Sequence, residues 1–133
     1  MQKILLTGGT GFIGNNVLKL LKLNPDYKIL SLSRTKQYNS KELKWIRGDF
    51  GSLNKKTMKL ILDFKPSILI HLGWQDIPNF SKKVCTDNLN KSKKFLNDMV
   101  KIQSIEKIII SGSCFEYLHK SGEVKEKDEL DRK

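Results

Sequence analysis

A chain of 133 residues has the length of one compact domain and leaves no room for a second core. Its 38% apolar and 29% charged residues suffice to fold, and no stretch approaches the roughly 18 consecutive apolar residues of a membrane span. The formal charge of +11 raises nucleic-acid binding, but the lysines fall in scattered pairs (Lys55-Lys56, Lys82-Lys83, Lys93-Lys94) without interleaved aromatics, which reads as solvated surface and predicts no nucleic-acid partner.

In chain order, Lys3 to Thr7 is a short apolar run ended by glycines, and from Phe12 to Leu23 the apolar residues recur at helical spacing. Asn24-Pro25-Asp26 breaks that helix, and Tyr27 to Leu32 gives a second strand, so the first three elements form a βαβ unit with parallel strands. Leu43 to Arg47 is a third, short strand. Asn54 to Phe64 follows as a helix stopped before Pro66. Ile68 to Leu72 is the fourth strand, residues 81–103 a long polar helical segment, and Lys107 to Ile110 the fifth strand. Continuously apolar strands alternating with helices predict a doubly wound parallel sheet with helices on both faces. After Tyr117 the apolar period is lost, and residues 118–133 read either as a solvated tail or as the point where a longer domain is interrupted, because the fifth strand then lacks an expected neighbour.

Cys85 and Cys114 are too few for a disulfide framework and sit in no metal-ligand spacing. They read as reduced thiols. The amino terminus enters a strand at once, without a basic region, a long apolar segment or a cleavage site, so a cytoplasmic location and no membrane partner are expected.

The residues between the first strand and first helix carry the clearest chemistry: Thr7-Gly8-Gly9-Thr10-Gly11-Phe12-Ile13-Gly14. A dinucleotide pyrophosphate meets a helix amino terminus in this context. Gly8 would permit the tight turn, Gly11 the close approach of backbone to phosphate, and Gly14 the packing of helix on strand. The spacing is GxxGxxG, not the GxGxxG of ordinary dehydrogenases.

With that spacing the sequence resembles the extended short-chain dehydrogenase/reductase family, the NAD(P)-dependent epimerases and dehydratases, whose TGxxGxxG signature is matched at every fixed position. Gly48-Asp49-Phe50 is similar to the family's GD motif, whose acid contacts the adenine amine; a solvated turn is the plainer alternative. His71-Leu72-Gly73-Trp74 resembles the HLAA segment beside the cofactor, with Gly73 and Trp74 departing from the usual alanines. His71 itself reads as a structural residue of an apolar strand. Asn88 lies where the family carries an Asn that ties the active site together through backbone contacts, or is an exposed helical Asn. Ser111-Gly112-Ser113-Cys114-Phe115-Glu116-Tyr117 is similar to the family's SSxxVYG stretch, and Ser113 takes the place of its catalytic Ser or Thr, with simple strand capping as the alternative.

The family's acid/base pair, YxxxK, is absent from these 133 residues: Tyr27, Tyr38 and Tyr117 are followed four residues later by Ser31, Glu42 and Ser121. The resemblance therefore covers the amino-terminal, cofactor-binding portion and predicts a chain inactive alone. Beyond the second strand, Ser33-Arg34 replaces the acid that an NAD enzyme sets against the ribose diol, which favours NADP over NAD. The resemblance implies cofactor contacts from Thr7, Gly8, Gly11, Phe12, Ile13, Gly14, Ser33, Arg34, Asp49, Phe50, Leu72, Gly73 and Asn88, and a nucleotide-sugar substrate for the complete enzyme. A homodimer and a complementing carboxyl-terminal chain stand open as partners. The competing reading is a non-catalytic NAD(P)-binding redox sensor, which would have no need of a hydroxyl at Ser113.

Overall fold

The computed structural model describes residues 1–113, 117, 123 and 125–128; Cys114, Phe115, Glu116 and most of the polar stretch after Tyr117 lie outside the described residues. In chain order the elements are β1 (Gln2–Thr7), α1 (Phe12–Leu21), β2 (Tyr27–Ser33), β3 (Leu43–Arg47), α2 (Lys55–Phe64), β4 (Ile68–His71), α3 (Lys82–Met99) and β5 (Lys107–Ile110). The strands form one parallel sheet in the order β3-β2-β1-β4-β5.

Alternation along each strand sends side chains to two separate cores. On one face Leu5, Leu30, Leu32, Ile46 and Leu69 pack against Ile61 of α2 and Phe95 and Met99 of α3. On the other, Ile4, Leu6, Ile29, Leu43 and Ile70 pack against Leu18 of α1, with Val17 and Leu21 beside it. Helices thus lie on both faces, but unequally. Among the described residues α1 is the one helix on its face, and at the β5 edge Ile109 and Ile110 are 46% and 53% exposed.

Helix ends differ from the expected bounds for local reasons. Asn54 is not in α2 but caps it, its Oδ1 accepting from the Thr57 amide at 2.8 Å. α1 stops at Leu21 because Lys22 and Leu23 turn toward Asn24, Leu23 N donating to Leu20 O. α3 stops at Met99 although Ile102 is buried: the apolar spacing continues into a turn in which Ile102 N donates to Met99 O.

The chain leaves β1 toward β2 on one side and returns past β1 to β4 on the other. The sheet order therefore reverses between β1 and β4, and a crevice opens outside their carboxyl ends.

Candidate functional site

That crevice is a cleft of about 500 Å³. Its lining brings together Thr7, Gly8, Gly11, Phe12, Ile13 and Gly14 from the β1–α1 loop, Ser33 and Arg34 from the end of β2, Phe50, and Leu72 and Gly73 from the end of β4. The glycines divide the work of shaping it. Gly8 sits at φ +76, and a Cβ there would stand 2.5 Å from Leu72 O. A Cβ on Gly14 would fall onto Gly8 O, so α1 begins directly against the loop. Gly11 differs: an added Cβ would meet only Gly8 O, at 3.3 Å, and otherwise points into open space.

Gly11 is the N-cap of α1 and offers no side chain to the helix end. The first helical hydrogen bond runs from Asn15 N to Gly11 O, so the amides of Phe12, Ile13 and Gly14 precede it at the cleft wall. No acidic residue stands in the first turn. The positive end of the helix and the exposed Arg34 make this wall complementary to an anion. The cradle fits the pyrophosphate of a dinucleotide: the backbone at Gly11 is bare where such a group would lie.

Beneath the cleft a polar network fixes β1 to β4. Thr7 is 1% exposed, so its hydroxyl proton needs a protein acceptor. Its Oγ1 accepts from Gly73 N at 3.2 Å, and the hydroxyl donates to His71 Nδ1 at 2.6 Å. This sets the neutral tautomer with its proton on Nε2, which donates to Ser92 Oγ on α3 at 3.1 Å. Phe50 and Phe95 enclose the ring, and burial lowers the His71 pKa from 6.5 to about 4. His71 holds the site's floor and does not face the cleft.

Asp49 and Asn88 stand outside the cleft lining. Asn88, 2% exposed, clasps the peptide of Gln75: its Oδ1 accepts from Gln75 N at 2.7 Å and its Nδ2 donates to Gln75 O at 3.1 Å. Asp49 borders a second, open groove of about 840 Å³ along β3 and α2, which shares Arg34 and Gly48 with the cleft. Ser113 follows β5, is exposed and lines neither recess.

Sequence reasoning missed Leu32, Gln75, Asp76 and Ile77, which also line the cleft, as do Thr10, Gly48 and Trp74 of the quoted motifs, which were not among the expected contacts. Trp74 to Ile77 form one wall after β4, where Asp76 takes φ +65 and Ile77-Pro78 is cis. The one signal available was the continuation of the HLGW segment, since any loop at a reversed strand order borders the crevice.

A family model described as NAD dependent epimerase/dehydratase family matches residues 4–132. No curated protein matches the chain. Among solved structures, UDP-glucuronic acid 4-epimerase from Bacillus cereus in complex with NAD is 22% identical with a TM-score of 0.73, over 98% of this chain and 46% of that one. Helicobacter pylori ADP-L-glycero-D-manno-heptose-6-epimerase is 21% identical with a TM-score of 0.71, over 99% and 46%. The terminal R domain of the myxalamid PKS-NRPS pathway is 19% identical with a TM-score of 0.79, over 98% and 40%. The chain thus spans less than half the length of these solved chains. The match over nearly the whole sequence, joined to the glycine loop at a reversed strand order, assigns the chain to the NAD dependent epimerase/dehydratase family.

Proposed function

We propose that this chain provides the NADP(H)-binding half of an enzyme acting on nucleotide sugars. The observation that carries the reading is Gly11, bare toward the cleft at the amino terminus of α1, where three unengaged amides and Arg34 meet an anionic ligand. Two of the structural neighbours contain NAD together with UDP-glucuronic acid, which supports a nicotinamide cofactor and a nucleotide-sugar substrate class.

Within that reading, Phe12, Ile13 and Gly14 present backbone N–H groups to the pyrophosphate, and Leu72 and Gly73 form the opposite wall. Ser33 and Arg34 replace the usual ribose-binding acid, so the guanidinium receives a 2′-phosphate and NADP is preferred over NAD. The bound cofactor supplies hydride transfer. Ser113, at the end of β5, hydrogen-bonds the substrate oxygen in the complete site. No YxxxK occurs in these 133 residues, so this polypeptide by itself does not turn substrate over and holds the cofactor weakly, and hydride transfer requires a Tyr and Lys from outside them. The complete enzyme works in the cytoplasm, as a homodimer or joined by the chain that carries that pair.

The test is a paired titration with NADPH and NADH of the wild type and Arg34→Asp. Wild type is expected to bind NADPH about tenfold or more tightly than NADH, in keeping with a charge-assisted contact, and Arg34→Asp to reverse the order. Equal affinities in the wild type, or no change in the variant, would refute the NADP assignment.

A further inference from the structure

The loop after β4 contains a polar residue that the cofactor reading does not use. Gln75 is 5% exposed, and all four of its polar groups are engaged. Asn88 clasps its backbone N–H and carbonyl, as described. Its side-chain Oε1 accepts from Lys91 Nζ on α3 at 2.7 Å, while its Nε2 donates to Asp49 Oδ1 at 2.8 Å. Both contacts are charge-assisted and short. The carboxamide orientation is thereby fixed, because turning it over would set its NH2 against the ammonium and its oxygen against the carboxylate.

This has a consequence for Asp49. Its Oδ1 also accepts from Gly51 N at 2.8 Å and so carries two donors. Its Oδ2 accepts from no described residue, and Asp49 borders the groove that joins the cleft at Arg34 and Gly48. One carboxylate oxygen is occupied from within, leaving a single acceptor of fixed direction at the groove. Meanwhile Gln75 itself lines the cleft beside Trp74 and Asp76.

We propose that Gln75 is a positioning residue that orients Asp49 to read an exocyclic amine at the adenine end of the ligand, and that it ties this acid to the β4 loop through Lys91 and Asn88. The proposal rests on the dinucleotide reading above. It makes amine selectivity depend on a residue that never touches the base, because a carboxylate freed from Gln75 keeps only the Gly51 N–H on its Oδ1, and one donor no longer fixes its plane toward the groove.

The experiment compares binding of NADPH with its hypoxanthine analogue, which carries a carbonyl in place of the amine, by calorimetry on the 133-residue chain. Wild type is expected to prefer the adenine form about tenfold, as one charge-assisted hydrogen bond provides, and Gln75→Leu to lose that preference. Lys91→Met, which removes the ammonium from the side that faces away from Asp49, lowers it too and serves if Gln75→Leu does not fold. Gln75→Glu puts a carboxylate, kept ionised by Lys91, where the amide donor faced Asp49, and is expected to abolish the preference at pH 7.5. A Gln75→Leu, Lys91→Met or Gln75→Glu variant with undiminished preference would overturn the proposal while leaving the cofactor reading intact. Failure of wild type to bind either nucleotide would overturn both.

Discussion

Gly8 and Gly11 lie three residues apart, yet the structure gives them opposite jobs. Gly8 holds a left-handed backbone against Leu72 O, so Gly8→Ala is expected to destabilise the fold by about 2–3 kcal/mol, seen as a lowered urea midpoint. Gly11 takes ordinary extended angles, an added Cβ would meet only Gly8 O, at 3.3 Å, and Gly11→Val is expected to cost about 1 kcal/mol through that contact. His71 supplies a second residue-scale prediction. The unfolded chain takes up a proton near pH 6.5 that the native ring refuses until about pH 4. Stability from the neutral ring is complete above pH 6.5 and is lost as the pH falls from there toward 4, by on the order of 3 kcal/mol. Denaturation curves of wild type and His71→Asn between pH 4 and 7 should differ in slope over that window; parallel curves would mean that the ring is solvated.

At the scale of elements, α2 is the helix whose ends matter most, since it carries Ile61 into the larger core and Thr57 toward the groove. Asn54→Ala removes the side-chain bond to Thr57 N and is expected to cost about 1 kcal/mol. Lys65, closing the same helix at φ 52, holds a conformation that glycine adopts freely, so Lys65→Gly is expected to gain about 0.5 kcal/mol. Chemical denaturation of the two variants measures both signs. The elements were legible in the sequence because strands covered on both faces read as short apolar runs and helices as apolar residues at helical spacing: the expected strands Leu43–Arg47 and Lys107–Ile110 match β3 and β5 residue for residue. Gln75 was not legible. Its partners Asp49, Asn88 and Lys91 come from a β3 loop and from α3, and only the return of the chain past β1 brings them together, so no local pattern announces the network. The exposure of Ile109 and Ile110 was equally hidden, because an apolar strand reads alike at an edge and in the centre.

At the scale of the whole molecule, sheet order and charge act together. The reversal between β1 and β4 places the glycine loop, the β2 end and the β4 loop around one cleft, and the excess of +11 charges gives the surface a field that draws phosphorylated ligands in. The glycine signature and the helix behind it marked one wall of the cleft, while the wall from Trp74 to Ile77 came from topology. The central claim is that this cleft holds a nicotinamide dinucleotide with its pyrophosphate against Gly11. Calorimetric titration of wild type and Gly11→Val with NADPH tests it most directly, with melting temperatures taken alongside. The account predicts saturable one-site binding in the wild type and none in Gly11→Val, whose melting temperature stays within about 4 °C of wild type. A wild type that takes up no nucleotide, or a folded Gly11→Val that binds as tightly, would contradict it.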